Sequence, residues 1–212
     1  MTYQLYGDIR SGSAIIEMAL AEIGAPVQLH PVSLDRDEQL SDEYRRVNPM
    51  GRVPALILPD GTLVTESLAI LLTLCGRHPE AGLLPGADDP ARAKALRWMA
   101  LAAGEFYPAV TRSDYPERFS TDPAHAPAIR ASARAWGREF WRLVERDAGL
   151  APFLLGGRFS AADLYLAVMS RWMGSGDWLP QECPRVEEMA QRVAARPAAG
   201  PVWHKHFGAV GE

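Results

Sequence analysis

Apolar and polar positions change their period along this chain. Through the first eighty residues short alternating runs take turns with helical spacing, and after that only the helical spacing remains. Tyr3 to Tyr6 is short, aromatic-rich and bounded by Gly7, which predicts a first strand. Ile16, Ala19, Leu20 and Ile23 then recur at helical intervals, with Gly24 where a C′ residue belongs and Pro26 blocking continuation. Val27 to Val32 alternates as a second strand. The order strand, helix, strand implies a parallel pair joined by a crossover helix. Asp35 to Asp42 is a polar loop leading to a short helix from Ser41 to Val47, ended by Asn48-Pro49 because a residue before proline is pushed out of the α region.

The stretch from Asn48 to Ser67, NPMGRVPALILPDGTLVTES, comes next. The apolar run Ala55 to Leu58, the turn Pro59-Asp60-Gly61 and a second short strand predict a β-hairpin. A helical run, Leu68 to Leu74, follows at once, with Thr65 or Ser67 as its cap, so first-turn N–H groups are available to hold an anion. The elements add up to a βαβαββα unit over residues 1–78. Pro79 to Pro90 is rich in Pro, Gly and Asp, which marks a linker at 79–89. An all-helical domain is expected over 90–212, with helices at Ala91 to Val110, Ala128 to Ala148, Ser160 to Met173 and Pro184 to Ala195. In LLGGRFSAADLYL, Ser160 and Asp163 have capping-box spacing, and Phe159 and Leu164 stand at the positions of a hydrophobic staple.

Composition narrows the function classes. The chain has 212 residues, 48% hydrophobic, and a net charge of −4 with both signs mixed along it, which argues against a nucleic-acid surface or a basic membrane-binding helix. No apolar run approaches the roughly 18 residues of a membrane span, and MTYQLYGDIR carries no secretory core, so a soluble, cytoplasmic protein is expected. Cys75 and Cys183 lack metal-ligand spacing and read as reduced, buried thiols. No phosphate loop, G-x-S-x-G or zinc-spaced pair occurs, and His204 and His206, two residues apart, read as solvent-facing.

The block N-P-x-G-x-V-P-A-L followed by T-E-S resembles the glutathione-binding half of the cytosolic glutathione transferases. The resemblance implies a thioredoxin-like first domain, an all-α second domain and glutathione as co-substrate. It also implies a cis peptide before Pro54, backbone contacts from Val53 to the cysteinyl part of glutathione, and Glu66 with Ser67 on the γ-glutamyl end. Arg52 and Gln39 match positions used for the glycyl carboxylate in theta-like members. The pattern G-x-x-x-S-x-A-D around Ser160 resembles the capped central helix of the family's second domain, a structural role.

Conjugation needs a thiolate, and a free thiol of pKa about 8.5 is only a few per cent ionised near neutral pH. One charge-assisted hydrogen bond of about 1.5 to 3 kcal/mol would lower that value by one to two pH units. Ser11 and Ser13 are the hydroxyls in the loop after the first strand. The run L-Y-x-D-x-x-S from Leu5 to Ser11 resembles theta-class and related bacterial enzymes, which implies a serine-type transferase with Ser11 catalytic; Ser11 also suits a helix N-cap, and Ser13 is a rival for either role. Tyr6 is a further hydroxyl on the first strand. Beta-class members carry a cysteine where Gly12 stands, so redox chemistry by a thiol of this loop is not expected.

A small electrophile is expected against the helical half. Phe106, Tyr107, Tyr115 and Phe119 cluster about Pro108 and Pro116, which would break or kink the helices there, and Trp203 with Phe207 lies near the end of the chain. The Tyr107 hydroxyl is placed to assist a leaving group. By resemblance the protein is a homodimer that conjugates glutathione in detoxification. A glutathione-dependent isomerase, dehalogenase or ether-cleaving enzyme shares the same first domain, and a non-catalytic relative that binds partners is the alternative outside catalysis.

Overall fold

The computed structural model describes residues 2–208. Contacts divide the chain into two compact units, Met1–Leu84 with Gln191–Glu212, and Pro85–Ala190.

The first unit is built on a four-stranded sheet: β1 (Tyr3–Gly7), β2 (Val27–Pro31), β3 (Ala55–Ile57) and β4 (Leu63–Thr65), in the order β2-β1-β3-β4. β1 and β2 run parallel from Tyr3↔Val27 to Gly7↔Pro31, with α1 (Ser13–Ile23) as the crossover helix between them. α2 (Asp42–Val47) follows, capped by Ser41, whose hydroxyl accepts the Tyr44 N–H. β3 and β4 form the expected hairpin: Gly61 supplies φ 87° and the Asp60 carboxylate accepts the Thr62 N–H at 2.9 Å. α3 (Ser67–Arg77) completes the thioredoxin-like pattern. Leu5, Ile15, Ile16, Met18, Leu20, Leu56, Ile70 and Leu71, from β1, α1, β3 and α3, are buried and form this unit's core. Each such side chain contributes about 1.5–3 kcal/mol.

Three sequence expectations are corrected in this unit. Neither Thr65 nor Ser67 caps α3: Glu66 holds that position, at φ 67° and with no side-chain cap bond. Residues 199–207, where no helix was expected, form α10 (Ala199–Phe207). Pro201 sits in its first turn, where a missing N–H costs nothing, so a residue that reads as a breaker is tolerated. His206 faces inward, 3% exposed, whereas His204 faces solvent.

The second unit is helical: α4 (Pro90–Leu101), α5 (Tyr107–Asp114), α6 (Ala126–Asp147), α7 (Ala161–Met169), α8 (Leu179–Glu182) and the first part of α9 (Pro184–Ala194). The helix expected over 91–110 is interrupted rather than broken. A π-helical turn, Ala102–Phe106, precedes Pro108 and absorbs the carbonyl its ring would otherwise strike. α7 stops at Met169, before the expected Met173, which itself takes φ 61°. Its start matches the expected capping box. The buried Asp163 carboxylate accepts the N–H of Ser160 and of Leu154 and the Ser160 hydroxyl, all at 2.8 Å. Burial pushes its pKa up to about 6 against the lowering by those bonds. Among the described residues, no helix is long and apolar enough to cross a membrane.

Candidate functional site

Strand register gathers the sequence-selected residues at one end of the sheet. Gly7 at the end of β1 pairs with Pro31 at the end of β2; Tyr6 pairs with Ala55 at the start of β3, which pairs with Thr65 at the end of β4. The loop 8–12, the segment 32–40, the corner 52–54 and the start of α3 therefore leave or enter the sheet at the same edge. Adjacent strands lie about 4.8 Å apart, so crossing from β1 over β3 to β4 spans about 10 Å, the length of three extended residues.

The loop 8–12 is fixed from within. The Asp8 carboxylate accepts the N–H of Ile9 at 2.8 Å and of Leu34 at 2.7 Å, tying the loop after β1 to the one after β2. Ser11 donates to the Asp8 carbonyl at 2.8 Å, Ser13 reaches the same carbonyl at 3.0 Å, and the two hydroxyl oxygens lie 2.8 Å apart. One proton suffices for that carbonyl, so Ser13 can supply it and leave the Ser11 proton for another acceptor. Ser11 Oγ meanwhile receives the Ser13 N–H at 3.2 Å, but Gly12 holds the N-cap position of α1 without a side-chain cap bond, so neither serine is the helix cap the sequence suggested. Gly7 permits this packing, since a Cβ there would fall 2.1 Å from the Ser13 Cβ. Tyr6 stacks on His30 with centroids 4.5 Å apart.

At the corner, the Val53-Pro54 peptide is cis. The Tyr44 hydroxyl and the Asn48 side-chain amide both donate to the Arg52 carbonyl at 2.7 Å, holding the residue before Val53. Burial raises the Tyr44 pKa, which keeps that hydroxyl protonated and donating. The half-buried Val53 precedes the ladder, which begins at Ala55, and its main chain makes no hydrogen bond to the described residues. An unpaired N–H and C=O in such a place suit an extended peptide ligand. The Arg52 side chain is exposed. Gln39, buried in a 3₁₀ turn, donates to Asp37 at 3.0 Å, and its Oε1 has no partner among the described residues.

Glu66 and Ser67 stand at the start of α3, where first-turn N–H groups and the helix dipole favour a carboxylate. Glu66 at φ 67° is a strained backbone for a residue with a side chain, and such strain collects where a ligand is clamped.

The aromatics singled out for an electrophile differ in setting. Phe106 is 1% exposed and packs its ring 5.1 Å from Phe140 and 5.0 Å from Trp141, in the core of the second unit. Tyr107 and Tyr115 are half-buried; Tyr107 meets Trp172 edge-on at 5.1 Å, and Arg118 lies over Tyr115. Trp203 is buried in the first unit against Phe207.

Sequence reasoning missed one group that touches the Ser11 loop. Glu17 of α1 accepts from Lys205 at 2.7 and 2.9 Å and lies 3.0 Å from His206 Nε2. Burial alone would raise the Glu17 pKa, but the bonds from His206 and Lys205 and the lysine charge outweigh it and hold the carboxylate below its usual range. The missed signal was a glutamate on the otherwise apolar face of α1. It demanded a cationic or donor partner that no local spacing supplied.

Comparison with known proteins bears on what this edge of the sheet does. The sequence model "Glutathione S-transferase, N-terminal domain" matches residues 13–77. The glutathione S-transferase GstA of Escherichia coli is 31% identical over 184 residues, 85% of this chain and 87% of that protein. The chain belongs to the glutathione S-transferase family. A maleylacetoacetate isomerase of Pseudomonas aeruginosa is also similar to this transferase-family chain, 30% identical with 92% of each covered. A glutathione transferase homologue from Sulfitobacter, crystallised with bound glutathione, superposes with a TM-score of 0.90 at 30% identity, over 96% of this chain and 98% of that one.

Proposed function

We propose that this chain is a serine-type glutathione transferase that joins the thiolate of glutathione to small electrophiles. The observation that carries the reading is the convergence at one sheet edge of the Ser11 loop, the unpaired main chain of Val53 beside Pro54 and the N-terminus of α3, at the spacing of an extended tripeptide. Val53 takes the cysteinyl backbone, and Glu66 with Ser67 takes the γ-glutamyl end. Arg52, with Gln39 beside it, faces the glycyl carboxylate.

Ser11 turns its proton from the Asp8 carbonyl to the sulfur while Ser13 replaces it there, so no buried acceptor is left bare. The lost thiol proton leaves to solvent. The sulfur lone pair forms the new S–C bond, and either a leaving group departs with its electron pair or an added carbon takes a proton from water. Tyr107 and Tyr115 are the proposed electrophile contacts, with Tyr107 donating to a leaving group; Phe106 and Trp203, both buried, have no proposed contact with it. A homodimeric, cytoplasmic enzyme of detoxification is the setting that accompanies this reading.

A second reading, glutathione-dependent isomerisation of a small unsaturated acid, rests on similarity to the Pseudomonas isomerase over 92% of the chain. Calorimetry with glutathione, followed by turnover of aryl halides, epoxides and cis-alkene acids, separates the possibilities. Micromolar binding with conjugation of the halides or epoxides is expected. Turnover of the cis-alkene acids alone would favour the isomerase, and absence of glutathione binding would leave a non-catalytic partner-binding role.

A further inference from the structure

We infer that His206 is a positioning residue for catalysis, holding the Ser11 loop through the main chain of Arg10. This rests on the transferase reading above. Arg10 precedes Ser11 and sits at φ 62°, a conformation that a residue with a side chain keeps only where its surroundings enforce it. The enforcing contacts come from α10. The Arg10 N–H donates to His206 Nδ1 at 3.1 Å, and the Arg10 guanidinium donates from Nε to the His206 carbonyl at 3.3 Å.

The chemistry of the imidazole fixes its role. A backbone N–H can only donate, so Nδ1 carries a lone pair and the ring proton resides on Nε2. That proton points at the Glu17 carboxylate 3.0 Å away, which can only accept. Glu17 is held in turn by Lys205. The chain of contacts runs from α1 through Glu17 to a single tautomer of a buried histidine, and from there to the amide next to the proposed catalytic serine. It is the arrangement by which a carboxylate orients an imidazole, turned here toward a loop instead of a substrate. Asp8 anchors the start of the loop to Leu34, and His206 anchors its middle at Arg10. Without the second anchor, Arg10 can relax toward ordinary φ values and swing the Ser11 hydroxyl off the sulfur.

Two conservative variants separate this role from plain packing, because the asparagine oxygen overlays Nδ1 whereas the glutamine amide overlays Nε2. His206→Asn keeps an acceptor for Arg10 and gives up Glu17; His206→Gln keeps the Glu17 contact and leaves the Arg10 N–H without its acceptor. With glutathione and an aryl halide, His206→Asn should retain kcat within about threefold of wild type. His206→Gln should lose about tenfold in kcat with KM for glutathione little changed. Amide hydrogen exchange gives a readout independent of glutathione: the Arg10 amide should exchange at least about tenfold faster in His206→Gln than in His206→Asn. Equal exchange at Arg10 in the two variants, or equal kcat losses, would overturn the positioning role even if the wild type is an active transferase. Should the wild type fail to bind glutathione, the transferase reading falls and the catalytic role of His206 falls with it, whatever the exchange rates.

Discussion

Replacing Asp163 with alanine tests the packing of the second unit and its electrostatics together. The carboxylate is fully buried and satisfies the N–H groups of Leu154 and Ser160, themselves buried, so alanine leaves two backbone donors without partners. Each costs about 1–3 kcal/mol, for a loss of about 2–6 kcal/mol where the wild-type acid is neutral. The loss should shrink as pH rises. Burial raises the Asp163 pKa from 3.8 to about 6 in the folded protein, so its contribution is fully present below 3.8 and declines as pH passes through 6. That rise corresponds to about 3 kcal/mol, which leaves a deficit of about 1 kcal/mol at neutral pH, the size of a lost cap. Urea melts followed by circular dichroism at pH 4.5 and pH 8 measure both quantities. An unchanged midpoint at pH 4.5, or a deficit that grows toward pH 8, would refute the argument.

The first unit offers two further tests. Glu66→Gly relieves the backbone at φ 67° and removes a carboxylate, so thermal unfolding should show a stability gain of about 1 kcal/mol while calorimetry shows weaker glutathione binding. Glu17 is held below its usual pKa of 4.5, so its contribution is present above that pH and lost as pH falls through the folded value. Glu17→Gln should then cost about 1–2 kcal/mol at pH 7 in urea melts, with the difference from wild type closing below pH 4.5.

Much of the first unit was legible because local chemistry and long-range pairing agree there. The Asp60-Gly61 turn, the Gly24 helix end and the Asn48-Pro49 stop each work through a backbone preference that needs no partner from afar. The same holds for the capping box at Ser160. What the residues could not disclose depended on distance in sequence. The burial of His206 depends on Glu17, 189 residues away, and nothing in the spacing of two histidines reveals it. α10 was hidden by its Ala-Gly-Pro opening, and the π turn before Pro108 by the absence of any pattern that marks one. The cap of α3 falls on Glu66 instead of the hydroxyls Thr65 and Ser67 beside it, through a backbone at φ 67° that no side-chain preference signals. The pairing Tyr6↔Ala55↔Thr65 gave the candidate residues a common edge, and register of that kind follows from the folded sheet rather than from any one strand.

The most direct test is a pH titration of the thiolate absorbance of glutathione bound to the wild type and to Ser11→Ala. Bound thiol should ionise one to two pH units below the free value of about 8.5 in the wild type, and return toward that value when the hydroxyl is removed. Identical titrations in the two proteins would contradict the role given to Ser11.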